Sequence, residues 1–516
     1  MFLSITKHFN RRLFLSVLLI AVSQFNYGFD NQAFAQTQAM NAFQKQFGTF
    51  DAKAKKYVLK AYWLSLFNST PYAGFAVGLY AGSLVSARWG RRMAMFAMSI
   101  YALFSATIVV TAQTPGQIMA GRILNYLYIG MELATVPVFQ SEIVPAPVRG
   151  LAVSTYQLSL GCGGLVINGI AHATAPYTDR RAYAIPFGLF YVVPLIIICL
   201  IWFIPESPRW LMTVNRMDEA RAAHHKYREG TMSDEAIELE FNQLHQALLD
   251  EPEQGHTVEL FQGVNLKRTA IVCGMNFFQQ ATGQAFASQY GTLFVKSLGT
   301  VNPFDIAVQQ QRARLFFTFS PTTTSANDVY LRYMLLSSAL AQALVHYIMG
   351  GLGLQNPVSY SHKSGEVAML MFFSVAFLWA WGPLTYVVTT ELPALRLRDR
   401  SQRVASIVNI FMNFLVNFTI PYMMNAPYGN LGGKVGFIFG SLAVLAFVFT
   451  YFCVPECKGR SLEEIDRMFH EGVPVRKFRT HQHIPIEVDA AKIEEASLEE
   501  GKKGDVREVT QEKTEV

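Results

Sequence analysis

The sequence predicts an all-α membrane protein, and three observations support that prediction. Apolar types make up 51% of the 516 residues and charged types only 16%, whereas a soluble domain carries about 25% charged residues. Eleven apolar runs approach the roughly 20 residues that a bilayer-spanning helix needs. The 43 basic and 37 acidic residues leave a net charge of +6, and they are scattered between these runs. That scatter excludes a basic nucleic-acid-binding surface.

The apolar runs fall into two sets separated by a polar stretch. Residues 205–265 mix Glu, Arg and His with helical periodicity, which predicts short cytoplasmic helices between two halves. From about residue 470 the chain is rich in Glu and Lys without apolar periodicity, which predicts a disordered tail. The first set lies near 13–33, 62–86, 92–112, 116–141, 151–175 and 183–204, and the second near 268–295, 333–353, 366–390, 404–424 and 435–454.

The charges of the loops predict the orientation, because cytoplasmic loops carry an excess of Lys and Arg. By this rule the loops that contain Arg88, Arg149 and Arg396 face the cytoplasm, together with the 205–265 stretch. The loop over 33–61 contains several lysines and runs against the bias.

Ionisable residues inside a membrane are costly and by default mark a functional site. Asp30 in the first run and Arg122 in the fourth lie at matching depths in the outer half of the bilayer. Burial favours the neutral carboxyl group and a nearby guanidinium favours the carboxylate, so the pair suits a proton switch; a static ion pair is the alternative. Glu132, farther inward on the fourth run, is expected to hydrogen-bond between helices, with a second proton site as its alternative.

Glu142 and Glu391 occupy equivalent places at the inner ends of two runs. Each precedes a proline and then arginines, which are Arg149 in the first half and Arg396 and Arg398 in the second. Such an internal repeat is typical of transporters built from two related bundles. Charge pairs across the interface between the halves are expected to close the inner face, and ordinary helix-end charge is the alternative.

Uncharged polar side chains inside the runs form a second group of candidates. Amides both donate and accept hydrogen bonds, so an amide-lined face suits a hydroxyl-rich solute. For any single amide, a hydrogen bond between helices is the alternative. Trp379, Trp381 and Tyr386 suit stacking against a sugar ring or anchoring at the membrane interface. The amides are Gln157, Gln279, Gln280, Gln284, Gln289, Asn409, Asn413 and Asn417, of which the three Asn recur at i+4.

No enzyme motif competes with a transport function. The sequence has no Walker A loop, no HExxH zinc spacing and no GxSxG turn. Its five cysteines form no CxxC pair, so neither a metal site nor a cofactor is predicted.

A series of short motifs runs through nearly the whole chain. They are Gly28-Phe29-Asp30, Arg88-Trp89-Gly90-Arg91-Arg92, Gly121-Arg122, Pro137 to Glu142, Arg149-Gly150, Pro205-Glu206-Ser207-Pro208-Arg209-Trp210, Gln279-Gln280, Trp381-Gly382-Pro383, Glu391 and Pro455-Glu456. In this order and spacing the chain resembles the sugar porter branch of the major facilitator superfamily, particularly fungal hexose and α-glucoside permeases.

The resemblance implies a major-facilitator fold of twelve transmembrane helices, with a solute site between two six-helix bundles that is worked by alternating access. The expected domains are an N-terminal bundle over 1–205, a cytoplasmic helical linker over 206–265, a C-terminal bundle over 266–469 and a disordered tail over 470–516. Asp30 falls where proton-coupled members keep a protonatable Asp, opposite Arg122.

The resemblance also implies a substrate site and a cytoplasmic gate. Gln157, Gln279, Gln280, Asn409 and Asn413 fall on sugar-contacting positions, and Gln284 and Tyr386 complete the expected substrate site. The expected gate comprises Arg88, Arg91, Arg92, Glu142, Arg149, Glu206, Arg332, Glu391, Arg396, Arg398 and Glu456.

Several positions depart from the family's pattern. Ala87 stands where an Asp is usual, Ala285 replaces an Asn, and Gln289-Tyr290 replaces an aromatic pair. Tyr386 stands where the family has Trp. The missing Asn and the substituted Trp weaken an assignment to plain glucose.

The largest departure is the eighth span. Residues 309–330 read QQQRARLFFTFSPTTTSANDVY. Arg312, Arg314 and Asp328 would each cost about 2.5–3.5 kcal/mol near a helix centre, and Pro321 interrupts the segment. A segment of correct length and wrong composition suggests a compensated frameshift or a misread exon boundary. If the sequence stands, the eighth span is degenerate, and the gate of the second half is reduced to Arg332.

The sequence therefore predicts a secondary transporter in a fungal plasma membrane, taking up a sugar or polyol together with protons. Its partners are the solute, protons and the lipid bilayer, and a monomer is expected. One alternative is the same fold moving another small organic solute, such as a quinate-like acid or a secondary metabolite. Others are an inactive, damaged paralogue and a non-transporting nutrient sensor.

Overall fold

A computed structural model describes residues 9–52, 55–249, 255–318, 331–355, 358–457 and 462–478. Over these residues long helices form two halves, and each half has its own apolar core. Within the described part, seven helices or helix pairs are long and apolar enough to cross a membrane. The fold is therefore an all-α membrane fold, as the composition predicts.

The helices of the first half follow the predicted apolar runs within a few residues. The Asn10 side chain caps the first helix by accepting a hydrogen bond from the Leu13 amide at 2.7 Å. The helices are α1 (Arg11–Thr37), α2 (Asn41–Phe47), α3 (Ala61–Ser69), α4 (Pro71–Trp89), α5 (Arg91–Thr111), α6 (Pro115–Ile143), α7 (Ala146–Thr174), α8 (Arg181–Gly188) and α9 (Val192–Leu200), with 3-10 turns at Leu189–Tyr191 and Ile201–Phe203; a hairpin of β1 (Thr49–Asp51) and β2 (Lys56–Val58) follows α2.

Short helices connect the two halves, as the periodicity of the polar stretch predicts. They are α10 (Pro208–Thr213), α11 (Met217–Arg228), α12 (Asp234–Leu249) and a 3-10 turn at Thr257–Phe261. Arg228 attaches them to the first half by donating to the Ile143 carbonyl at 3.1 Å and to Glu240 at 2.9 Å. Burial alone would raise the pKa of Glu240, but hydrogen bonds from His224 and Arg228 outweigh it and lower the pKa to about 2.

The second half repeats the pattern with more interruptions. Gly283, at φ +99°, ends the first of its helices in a conformation that favours glycine. The helices are α13 (Gly263–Ala281), α14 (Gly291–Leu298), α15 (Pro303–Thr318), α16 (Leu331–Leu352), α17 (Tyr360–Trp379), α18 (Trp381–Glu391), α19 (Arg398–Met424), α20 (Val435–Cys453) and α21 (Leu462–His470), with a π turn at Phe286–Tyr290 and 3-10 turns at Leu395–Leu397, Gly432–Lys434 and Val475–Lys477.

The structure describes only part of the expected disordered tail and part of the atypical segment 309–330. Order continues past residue 470, because Phe478 is fully buried and its ring centroid lies 5.0 Å from that of Phe469; the rest of the expected tail lies outside the described residues. In the atypical segment, residues up to Thr318 belong to the helix α15, whereas 319–330 lie outside the described residues.

Candidate functional site

Asp30 and Arg122 lie in the interior of the first half, where neither is more than 3% exposed. The Asn125 amide, one turn from Arg122 on α6, donates a hydrogen bond to the Asp30 carboxylate. Arg122 donates instead to the Phe67 carbonyl at 2.8 Å and lies 3.7 Å from the Phe34 ring centroid. Asp30 and Arg122 lie within electrostatic range but form no ion pair in the described structure, so this geometry does not match the static-pair alternative.

Glu132 is buried on α6 without the hydrogen bond that the sequence suggested. Neither of its carboxylate oxygens has a hydrogen-bond partner among the described residues. Asp30 is within electrostatic range of this carboxylate, and the Tyr128 phenol, one turn away on α6, lies close to it. The expectation of an interhelical hydrogen bond is therefore wrong for this geometry, because no donor from another helix reaches the carboxylate.

The predicted amides of α13 and α19 bond to one another. Asn409 donates to the Gln279 carbonyl oxygen at 2.8 Å, and Gln280 donates to Asn409 at 3.3 Å. Asn413 extends the series by donating to Asn409 at 3.3 Å. The Gln280 carbonyl oxygen stays buried without a partner. These amides thus join two helices while keeping spare hydrogen-bonding capacity.

A cavity lies between α1 and helices of the second half. Gln284 is the predicted substrate residue that lines it. Gln157 and Tyr386 are exposed and are not part of this lining, although the Tyr386 phenol lies within electrostatic range of Arg314. The bonded amides Gln279, Gln280, Asn409 and Asn413 are also outside the lining. The cavity is lined by Gln32, Gln36, Gln284, Ala287, Ser288, Thr292, Ala307, Gln310, Gln311, Arg314, Phe373, Ser374, Phe377 and Leu378.

Sequence reasoning missed most of this lining. Gln32 and Gln36 are one helical turn apart on α1, a spacing that could have marked them as facing one site. Gln310, Gln311 and Arg314 belong to the segment that looked foreign to the membrane. Their polarity argues against a lipid-facing helix, whereas in the structure they line a cavity.

The gate residues of the first half form a compact network at the inner face. The Glu206 carboxylate accepts hydrogen bonds from the Arg91 and Arg92 backbone amides at 3.0 and 3.1 Å, so it caps α5. Arg91 also holds Glu142 through two side-chain bonds of 3.0 and 2.8 Å. Arg92 lies 5.4 Å from the Trp202 ring centroid.

The second half repeats this arrangement. The Glu456 carboxylate accepts from the Leu331 and Arg332 amides, both at 3.1 Å, and so caps α16. Arg332 lies 5.4 Å from the Tyr451 ring centroid, as Arg92 does from Trp202. Leu331 occupies the place of Arg91, so the second half lacks the counterpart of the ion pair between Arg91 and Glu142.

The other gate residues are more scattered. Arg88 is exposed, and the Arg149 side chain lies outside the described part of the structure. Arg396 pairs with Glu259 of the linker. Glu391 lies within electrostatic range of Arg398, but two guanidinium nitrogens of Arg398 have no hydrogen-bond partner in the described part of the chain.

The described contacts between the halves lie at the outer end, so the charge pairs expected across a closed inner face stay a prediction. His172 of the first half contacts the Asp305 carboxylate of the second half at 2.8 Å, near the outer ends of α7 and α15. Among the described residues this is the one contact between a basic side chain and a carboxylate that joins the halves. Lys296 donates across the halves to the Ala39 carbonyl at 2.6 Å and to Asn41 and Gln44 at 2.7 and 2.8 Å. Thr292 donates to Gln36 at 3.0 Å. The outer side is closed in this conformation.

Comparisons with known proteins agree with this architecture. Residues 16–469 match a family model described as "Sugar (and other) transporter". The MFS transporter fmqE of Aspergillus fumigatus is 27% identical over 464 residues, covering 88% of this chain and 85% of that protein. The low-affinity glucose transporter of Kluyveromyces lactis is 26% identical over 477 residues, covering 89% and 82%. The inward-open xylose transporter XylE from E. coli has a TM-score of 0.72 at 20% identity, covering 88% of this chain and 99% of XylE.

Proposed function

Because the chain belongs to the sugar (and other) transporter family and has a major-facilitator fold, we propose that it takes up a sugar or polyol together with protons by alternating access. It is a multi-pass membrane protein, and we assign it to the plasma membrane as a monomer. The buried Asp30 carboxyl group is the observation that supports proton coupling most directly.

The partners of Asp30 suit a group that gains and loses a proton. Asn125 donates to its carboxylate, while Arg122 is held by the Phe67 carbonyl within electrostatic range. A small displacement of α1 relative to α6 would bring the guanidinium closer to the carboxylate or separate them. Proximity to the guanidinium favours the carboxylate, and separation in a buried site favours the protonated form. Movement and protonation are therefore coupled at this site.

The helix α15 argues against a damaged, inactive paralogue. Asn168 donates to the Ala307 carbonyl at 3.2 Å, and Gln311 donates to the Gly161 carbonyl at 2.9 Å. The first part of the atypical segment thus packs against α7 through the Gln311 hydrogen bond, next to the Ala307 contact. Such contacts are expected of a working helix, not of a random reading frame.

The test compares Asp30→Asn with wild type in a host that lacks its own sugar transporters. Asn keeps the size of the side chain but cannot release a proton, so we expect D30N to lose uphill accumulation of a panel of labelled sugars and polyols while keeping exchange across the membrane. Asp179→Asn serves as control, because Asp179 is largely exposed beside Arg181. Proton-driven accumulation by D30N would refute the assignment, and absence of transport by the wild type would favour the damaged-paralogue alternative.

A further inference from the structure

Two stripes of buried polar side chains lie between α1 and α6 and run inward from Asp30. Within each stripe the residues recur at intervals of three and four, so they share one helix face. The stripes continue the proton site toward the inner end of the first half. Their members are Asp30, Asn26 and Ser23 on α1 and Asn125, Tyr128, Glu132 and Thr135 on α6, each at most 6% exposed.

Tyr128 lies between the two carboxyl groups along α6. It follows Asn125, whose amide donates to Asp30, by three residues and precedes Glu132 by four. The Asn26 amide donates to the Tyr128 hydroxyl oxygen at 3.2 Å, which leaves the phenol hydrogen available to the Glu132 carboxylate close by. By the helical rise, Glu132 lies about 10 Å farther inward than Asn125. A proton moving between the carboxyl groups therefore needs an intermediate group, and the phenol is placed to be one.

The surroundings of Glu132 suit a group that carries a proton. Neither carboxylate oxygen has a hydrogen-bond partner among the described residues, so no described basic side chain pairs with it. A buried carboxylate without a cation or a donor is costly, whereas the protonated group carries no charge. The titratable groups within electrostatic range include Asp30 and Tyr27 on α1, Tyr128 on α6 and Tyr156 on α7.

Polar groups continue from this carboxyl group to the inner end of α6. The hydroxyl oxygens of Ser23 and Thr135, on the neighbouring turns, have no hydrogen-bond partner in the described part of the chain. Farther inward Gln24 donates to Gln140 at 2.8 Å, and Gln140 donates to Thr155 at 2.9 Å. Most buried polar atoms in proteins are hydrogen-bonded, so unpartnered atoms concentrated along one line indicate a route for protons.

We propose that Glu132 is a second proton-binding residue, which receives the proton released by Asp30 and passes it toward the inner face. In this step the O–H bond of the Asp30 carboxyl group breaks. Tyr128 gives its hydrogen to the Glu132 carboxylate and takes up the incoming proton, so the phenol ends unchanged and Asp30 remains as a carboxylate within electrostatic range of Arg122. Chains of ionisable residues serve as proton relays in membrane proteins. The inference rests on the proposed function and extends its proton route.

Infrared difference spectroscopy of the full-length protein in lipid nanodiscs tests proton binding without any solute. A protonated carboxyl group gives a C=O stretching band apart from that of a carboxylate. Between alkaline and acidic pH we expect Glu132→Gln to remove one such band that Asp30→Asn leaves present. Glu366→Gln is the matched control, because Glu366 is an equally buried glutamate on α17 in the second half, and it should leave the Glu132 band in place. Spectra in which E132Q removes no such band would overturn the inference.

Uptake of labelled glucose, xylose and sorbitol in a host without its own sugar transporters tests the route. Gln keeps the size of Glu but carries no proton, so E132Q should slow proton-driven accumulation at least about tenfold. Exchange across the membrane and the melting temperature should stay as in wild type. Glu132→Asp should restore part of the rate, and E366Q should leave it unchanged.

Three results would overturn the inference and leave the proposed function standing. They are accumulation by E132Q at the wild-type rate, loss of exchange together with accumulation in E132Q, and equal losses in E132Q and E366Q. Absence of uptake by the wild type, with the Glu132 band present, would overturn the proposed function and leave the proton-binding residue.

Discussion

Two glutamates of α6, the buried Glu132 and the partly buried Glu142, have opposite surroundings. Glu142 accepts two bonds from Arg91 and one from the Ser207 hydroxyl at 2.6 Å. Neither oxygen of Glu132 has a hydrogen-bond partner among the described residues. A buried polar group without partners is destabilising, whereas removing one member of a paired set leaves the other charge uncompensated. The two positions should therefore respond in opposite ways to the same substitution.

We predict that Glu132→Leu leaves the melting temperature of the purified protein unchanged or raises it, because an unpaired buried carboxyl group is removed. Glu142→Leu is the matched comparison on the same helix. It should destabilise by about 1.5–3 kcal/mol, since Arg91 and Ser207 lose the partly buried carboxylate to which they donate. Thermal unfolding in detergent measures both variants. A large loss of stability in E132L would mean that Glu132 has a stabilising partner that this conformation does not show.

At this scale the sequence identified residues better than it identified their partners. Asp30, Arg122 and Glu132 were found because an ionisable residue stands out in an apolar run. The bond from Asn125 to Asp30 and the diversion of Arg122 to Phe67 depend on the rotation of neighbouring helices. That rotation is fixed by tertiary packing, which hydropathy does not encode.

At the scale of helices, α1 and α7 are the closest pair near the proton site. A Cβ atom at Gly28 would lie 1.8 Å from the Leu160 carbonyl oxygen, and one at Gly163 would lie 2.1 Å from that of Phe25. Small residues at such contacts let helix backbones approach closely inside a membrane. Gly28 is two residues before Asp30, so this contact also positions the carboxyl group.

We predict that Gly28→Ala lowers thermal stability by about 1–3 kcal/mol or more, because the added methyl group meets backbone and forces the two helices apart. Gly169→Ala on α7 is the control, since nothing lies within 4 Å of its Cβ position. Alanine favours a helix over glycine by about 1 kcal/mol, so G169A should be neutral or slightly stabilising. Size-exclusion profiles after heating compare the two, and equal profiles would contradict the close contact.

The helix α15 shows that composition alone gave a misleading prediction for the segment containing Arg312 and Arg314. Hydropathy judged the segment as though lipid surrounded it, so Arg312 and Arg314 counted against a helix. In the structure, residues up to Thr318 form a helix that packs on α7 and lines a cavity. The structure describes its residues Pro303–Thr318, and 319–330 lie outside the described part, so the degenerate eighth span stays a prediction.

Across the whole molecule, the described contacts between halves lie near the outer end, whereas the gate networks at the inner end lie within each half. Lys296 and Thr292 connect the second half to residues of the first at the outer side. Arg91 binds Glu142 within the first half, and Glu456 caps α16 within the second. This pattern is that of an inward-facing state. The repeated caps of Glu206 and Glu456 also show that the two halves share one design.

The last prediction concerns the equilibrium between inward-facing and outward-facing states, which Lys296 should influence. Its three hydrogen bonds across the halves are available only while the outer side is closed. A hydrogen bond to a charged group contributes about 1.5–3 kcal/mol, so Lys296→Met should raise the outward-open population at least about tenfold.

Ser288→Cys, on the cavity wall, reports that population, because an impermeant thiol reagent reaches it from outside only when the outer side opens. We expect K296M/S288C cells to label several-fold faster than S288C cells. Lys45→Met in the same background removes an exposed lysine nearby and should leave the rate unchanged, and K296M without S288C corrects for the native cysteines. Equal labelling of the K296M and K45M variants would show that Lys296 does not hold the outer side closed.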